Sequence, residues 1–128
     1  MNLNQITIGA TDVSESVLFY KKLGLSLIVD ALPRYVRFEC PKGESTFSIH
    51  QVDEILPSGI SIYFEVDDLE KTVSDLKSKH IKFDTEILDQ PWLWKEIYLK
   101  DPSGNQIIIY NAGEHRKNPP WRIEELDS

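Results

Sequence analysis

With 128 residues and a formal net charge of −7, the chain is long enough for one domain with its own core. Its scattered Lys and Arg give no basic stripe for a phosphate backbone, so nucleic acid is excluded as a partner. The 41% hydrophobic content is ordinary for a globular protein, and no apolar run approaches the roughly 18 residues of a membrane span.

Taken in order, Met1-Asn2-Leu3-Asn4-Gln5 has neither the basic stretch nor the apolar run of a secretory signal. With Cys40 as the single cysteine, this predicts a cytoplasmic protein without disulfides. A strand is expected over about 3–9, then a helix over about 13–23 with Asp12 as N-cap and Glu15 completing a capping box. Val13, Val17 and Tyr20 fall on one face of that helix, and Gly24 takes the left-handed position after it. Strands follow at about 25–31, 35–40 and 45–52, separated by the turn signals Leu32-Pro33-Arg34 and Pro41-Lys42-Gly43. Cys40 shares a side with Val36 and Phe38, so it is read as a packed core thiol rather than a nucleophile.

After Leu56-Pro57-Ser58-Gly59 the order repeats. A strand is expected at 60–66, and Asp68 caps a helix at about 69–79 whose apolar trio is Leu69, Val73 and Leu76. Strands follow near 82–88, 94–100 and 105–111. His80 ends the second helix, where its charge offsets the helix dipole. Copy one spans about 3–52 and copy two about 60–112, giving a single domain over 1–112 and an irregular tail over 113–128. His115 is read as a surface residue of that tail, and Pro119-Pro120-Trp121 as a stiff segment packed on the domain or on a neighbour.

Alternation sorts the strand faces. Val36, Phe38, Phe47, Ile49, Ile62, Phe64, Val66, Ile97, Leu99, Ile107 and Ile109 form the faces suited to the helices. The opposite faces carry Gln5, Thr7, Tyr35, Arg37, Glu39, Ser48 and His50 in the first copy. In the second copy they carry Tyr63, Glu65, Trp94, Glu96, Tyr98, Ile108 and Tyr110. Aromatic walls with a few placed polar groups match the lining of a ligand cavity; a half-solvated antiparallel sheet alternates in the same way. Trp92 and Trp94, two residues apart, would offer a stacking surface continued by Glu96. Ser48 and His50 share a face but stand in no Gly-x-Ser-x-Gly elbow, and no glycine-rich phosphate loop occurs.

A βαβββ unit written twice resembles the vicinal oxygen chelate superfamily, which includes glyoxalase I, bleomycin- and fosfomycin-resistance proteins, and extradiol dioxygenases. Leu3-Asn4-Gln5-Ile6 with Asp12-Val13 and Phe19-Tyr20-Lys21-Lys22-Leu23-Gly24-Leu25 carries the resemblance, as does Asp101-Pro102-Ser103-Gly104-Asn105. It implies an α+β fold in which two βαβββ modules pair into a curved mixed sheet. It also implies metal ligands from the first and last strands of each copy. Those positions fall on Gln5, Ser48, Ser61 and Ile108, of which Gln5 alone keeps a usual ligand type.

Two functions remain open at this point. One is a small-molecule binding protein of the bleomycin-resistance type without a cofactor. Its ligand would meet Gln5, Tyr35, Arg37, Ser48, His50, Tyr63, Trp94, Glu96, Tyr98 and Tyr110, with Glu39, Glu65 or Glu96 as counter-charge. The other is a lyase, isomerase or dioxygenase with a divalent metal rearranged around His50. There Gln5, His50 and Glu65 are the candidate ligands, and His50, Glu65 and Glu96 the candidate catalytic groups. Aromatic residues outside the core, Trp92 and Trp121 among them, predict a homodimer.

Overall fold

The computed structural model describes residues 1–56 and 59–124. Pro57 and Ser58 of the expected junction, and the last four residues of the expected tail, lie outside the described residues. The elements run β1 (Gln5–Ala10), α1 (Val13–Lys22), β2 (Ser26–Ala31), β3 (Tyr35–Glu39), β4 (Thr46–Gln51) and β5 (Ile62–Glu65). They continue with α2 (Leu69–Ser78), β6 (Leu88–Asp89), β7 (Lys95–Lys100), β8 (Gln106–Asn111) and a 3-10 helix at Gly113–Arg116. The βαβββ order is thus present twice. The strands form two four-stranded mixed sheets, ordered β1-β4-β3-β2 and β5-β8-β7-β6. In each, the first and last strands of the copy lie side by side and parallel.

Both helices begin as the spacing predicts. Asp12 Oδ1 accepts from Glu15 N at 3.1 Å and Asp68 Oδ1 from Lys71 N at 3.0 Å, satisfying a backbone donor that the first turn leaves free. Both end alike as well. Leu25 N donates to Tyr20 O and Ile81 N to Leu76 O, each closing a left-handed turn. Gly24 takes that turn at φ 103° in the first copy, and His80 takes it at φ 67° in the second.

By compactness the chain divides into two units: Met1–Ile60 with Lys100–Gln106, and Ser61–Leu99 with Ile107–Ser128. In the first unit Val13, Val17 and Tyr20 of α1 are buried with Val36, Phe38, Phe47 and Ile49. The Tyr20 ring meets Phe47 edge-on at 4.8 Å, and its hydroxyl donates to Asp101 Oδ2 at 2.7 Å. Asp101 also accepts from Ser103 N, Asn105 N and Asn105 Nδ2, and the Asn105 amide donates onward to Gly9 O at 2.8 Å. Thr11 N donates to Ser103 Oγ at 3.0 Å. The Asp-Pro-Ser-Gly-Asn turn between β7 and β8 is therefore bonded to the ends of β1 and α1. In the second unit Leu69, Val73 and Leu76 of α2 are buried along with Ile62, Ile97, Leu99, Ile107 and Ile109.

Three expectations need correction. The strand expected near 82–88 shrinks to Leu88–Asp89, because the Thr85 hydroxyl accepts the Tyr98 N–H that a ladder carbonyl would take. The tail is not irregular throughout: Gly113–Arg116 forms one 3-10 turn. Cys40 is half-buried rather than packed in the core, and the desolvation it does suffer pushes its thiol pKa up, away from a nucleophile's. No helix among the described residues is long and apolar enough to cross a membrane.

Candidate functional site

The strand registers put the predicted lining residues on shared faces within each unit. In the first, Thr7, Ser48 and Arg37 lie abreast across β1, β4 and β3, and Gly9, His50 and Tyr35 form the next row. Gln5 Nε2 donates to Ser48 Oγ at 3.0 Å and to Thr7 Oγ1 at 3.1 Å. The Ile6 carbonyl is within reach of the same nitrogen, whose two hydrogens are shared among the three acceptors; because a carbonyl can only accept, it orients the amide, while Gln5 Oε1 accepts from Thr46 Oγ1. Ser48, wholly buried, shares a 2.7 Å hydrogen bond with Tyr35 Oη, and Arg37 Nε donates to the same Oη at 3.0 Å. The Arg37 guanidinium carbon stands 5.7 Å from the Tyr35 ring centre. The hydrogen bond from Ser48 is the main cause that holds the Tyr35 phenol below its ordinary pKa; desolvation opposes it, and the hydrogen bond and charge of Arg37 add to the lowering. His50 is exposed at the end of β4.

The second unit is aromatic. Trp94 stacks on Tyr110 with ring centres 4.8 Å apart and planes 22° apart. Tyr63 stands edge-on to both, at 6.0 Å from Trp94 and 5.5 Å from Tyr110, and remains 46% exposed. Tyr98 packs at the margin of the same cluster, beside Ile108 and Ala112. Glu96 is fully buried; its Oε1 accepts from Gln90 Nε2 at 3.1 Å and Tyr98 Oη at 2.9 Å, and its Oε2 from Trp92 Nε1 at 3.1 Å. Three neutral donors surround this carboxylate, and no lysine or arginine among the described residues pairs with it. Burial, reinforced by Glu96, pushes the Tyr63 and Tyr98 phenols above their ordinary pKa.

Glu65 is committed elsewhere. Its Oε2 accepts from Ala112 N at 2.9 Å and Gly113 N at 3.1 Å, and its Oε1 lies 3.7 Å from Arg116 Nε. Strand β5 thereby caps the 3-10 turn, whose His115 carbonyl accepts from Trp94 Nε1 at 3.4 Å. His115 is half-buried rather than a plain surface residue, and its Nδ1 is buried without a partner among the described residues. Trp92 does not continue the strand face. It sits in the turn before β7, where Leu93 has φ 69°, and reaches Glu96 from there. Sequence reasoning placed Glu96 but missed Gln90, whose only signal was its place before Pro91 ahead of the hairpin. Trp121 is 55% exposed.

The residues at the family's metal positions do not fit a metal. Gln5 Oε1, the atom that would ligate, is taken by Thr46; Ser48 is bound to Gln5 and Tyr35; Ile108 has no donor atom and is buried. Among the described residues no three His, Cys, Asp or Glu side chains gather as a ligand set.

Comparison with known proteins bears on this arrangement. The profile of the Glyoxalase/Bleomycin resistance protein/Dioxygenase superfamily matches residues 2–109. The chain belongs to that superfamily. A superfamily member from Nocardioides superposes with a TM-score of 0.75 at 19% identity, covering 97% of this chain and 90% of its own. The bleomycin resistance determinant encoded on transposon Tn5 gives 0.71 at 18% identity, covering 87% of this chain and 98% of its own. Lactoylglutathione lyase from Agrobacterium tumefaciens gives 0.71 at 16% identity, covering 86% and 92%. Curated proteins give no match in sequence. At these identities the likeness establishes the superfamily fold and leaves the chemistry to this chain's own residues.

Proposed function

We propose that this superfamily member is a small-molecule binding protein whose ligand is planar and aromatic, held without a metal on the sheet faces. One observation carries the reading: Tyr63 keeps nearly half its surface open while standing against a stacked Trp94–Tyr110 pair. An aromatic surface fixed from behind and open in front suits a flat ligand, because little side-chain freedom remains to be lost on binding. Tyr98 at the margin of the cluster extends that surface, while Glu96 lies buried behind it and holds Gln90, Trp92 and Tyr98 in place. On the first unit, Gln5, Tyr35, Arg37, Ser48 and His50 form a polar set on that unit's own sheet face. Glu65, already capping the 3-10 turn, belongs to the support of the site rather than to its contacts. The same reading takes the protein as cytoplasmic, which its single cysteine supports, and as a homodimer, which the exposed Trp92 and Trp121 support.

Calorimetric titration with a panel of planar aromatic compounds, neutral and cationic, tests the reading. At least one class should bind, and Tyr63→Ala should weaken it about tenfold, the equivalent of about 1.4 kcal/mol. Uniformly null titrations defeat it. Elemental analysis of protein purified without chelators decides against the metal-dependent alternative when no stoichiometric metal is found. Metal that disappears in His50→Ala would reverse that choice.

A further inference from the structure

The hydrogen bonds across the first sheet run in one direction and end with a proton to spare. Gln5 Nε2 can only donate, since its amide is oriented by the Ile6 carbonyl, and so Ser48 Oγ accepts from it. Ser48 is wholly buried and its own proton has one acceptor within reach, Tyr35 Oη at 2.7 Å. Arg37 Nε, which carries no lone pair, donates to the same oxygen at 3.0 Å. Tyr35 Oη therefore accepts twice, while its own hydroxyl proton meets no acceptor among the described residues. The Arg37 Nη groups likewise carry no carboxylate partner there, and Arg37 is exposed.

We propose that Tyr35 and Arg37 form a receptor for a ligand oxygen that carries negative charge, an enolate, phenolate or carboxylate, to which Tyr35 donates its hydroxyl proton. The Arg37 fork is turned by its bond to Tyr35, so its remaining donors flank the phenol instead of sampling solvent freely. When the proton passes fully, one O–H bond breaks at Tyr35 and one forms on the ligand, with no further reactant. The phenolate left behind is held by the Ser48 hydroxyl and the Arg37 guanidinium already in place.

The surroundings are consistent with this role. Of the five tyrosines, Tyr35 alone has its pKa lowered; Tyr20, Tyr63, Tyr98 and Tyr110 are all raised. Across β4, Tyr35 is level with His50, and beyond it with Gly9 of β1; across β2 it is level with Ala31. On β3 itself Arg37 and, one place further, Glu39 share its face. The nearest titratable neighbours are thus Arg37 and His50, with Glu39 the single carboxylate of these rows.

The titration below does not depend on the proposed binding function, whereas the ligand measurement does. With 13C-labelled tyrosine, NMR should show Tyr35 ionising below each of the other four, and Ser48→Ala or Arg37→Met should each move it upward. Ordinary ionisation, or no response to either substitution, overturns the one-way array and leaves the binding reading intact. For the ligand, 4-nitrophenol is the probe, since its anion and neutral form absorb differently. The anion should bind in preference to the neutral phenol, and about tenfold more weakly to both Tyr35→Phe and Arg37→Met. Unchanged affinity in Tyr35→Phe, or no binding of the anion to the parent protein, overturns the receptor.

Discussion

Tyr20 shows how much one side chain can decide. It fills the gap between Phe38 and Phe47 and places a phenol where no water reaches, so its hydroxyl requires the acceptor that Asp101 provides at 2.7 Å. Tyr20→Phe keeps the ring and removes that bond, which should cost about 1–3 kcal/mol in denaturant titrations. The pH dependence follows from the same geometry. Desolvation first, then the Asp101 charge and hydrogen bond, push the Tyr20 pKa far up. The native state thus keeps a proton that the unfolded chain releases near pH 10. The contribution to stability is complete below that pH and is lost as pH rises above it. Melting temperatures across alkaline buffers should fall more steeply in the parent protein than in Tyr20→Phe. The capping roles of Asp12 and Asp68 could be read directly from the sequence, since they depend on the following few residues. That Tyr20 bonds to Asp101 could not, because eighty-one positions separate them and nothing local marks the pair.

Among the elements, the two helix ends offer an internal comparison. Both use the same backbone turn, yet the first places Gly24 in it and the second His80, whose Cβ crowds the following carbonyl at φ 67°. His80→Gly should therefore stabilise the protein by about 1 kcal/mol, read as a higher denaturation midpoint with unchanged slope. The segment before β7 illustrates the opposite case. Its alternating pattern predicts a full strand near 82–88, but Thr85 supplies a side-chain acceptor to Tyr98 N and the ladder shortens to two residues. The 3-10 turn at Gly113–Arg116 was equally hidden, because what organises it is Glu65 on another strand.

On the scale of the whole molecule, exposed apolar side chains argue for a second chain. Trp121 at 55%, Ile123 at 80%, Trp92 at 41% and Leu93 at 46% exposure are large apolar side chains open to solvent that a second chain could cover. A two-fold pair is the commonest way to cover such surface. Light scattering over a dilution series should give twice the 14.8 kDa chain mass at micromolar concentration. A mass near 14.8 kDa there would sink the dimer, and an unchanged dimer in Trp121→Ala would remove the tail from its interface.

By itself, the sequence determined the repeat, both helices with their caps, the superfamily and the faces of the strands it located correctly. Each of these rests on periodicity or on contacts within a few residues, and those survive in a linear string. Tertiary structure alone decided which polar groups on those faces are already satisfied. It committed Glu65 to a backbone turn and surrounded Glu96 with neutral donors. It also set the Tyr35 hydroxyl between Ser48 and Arg37. The physical reason is that a hydrogen bond needs two atoms about 3 Å apart, and only the folded chain brings those atoms together.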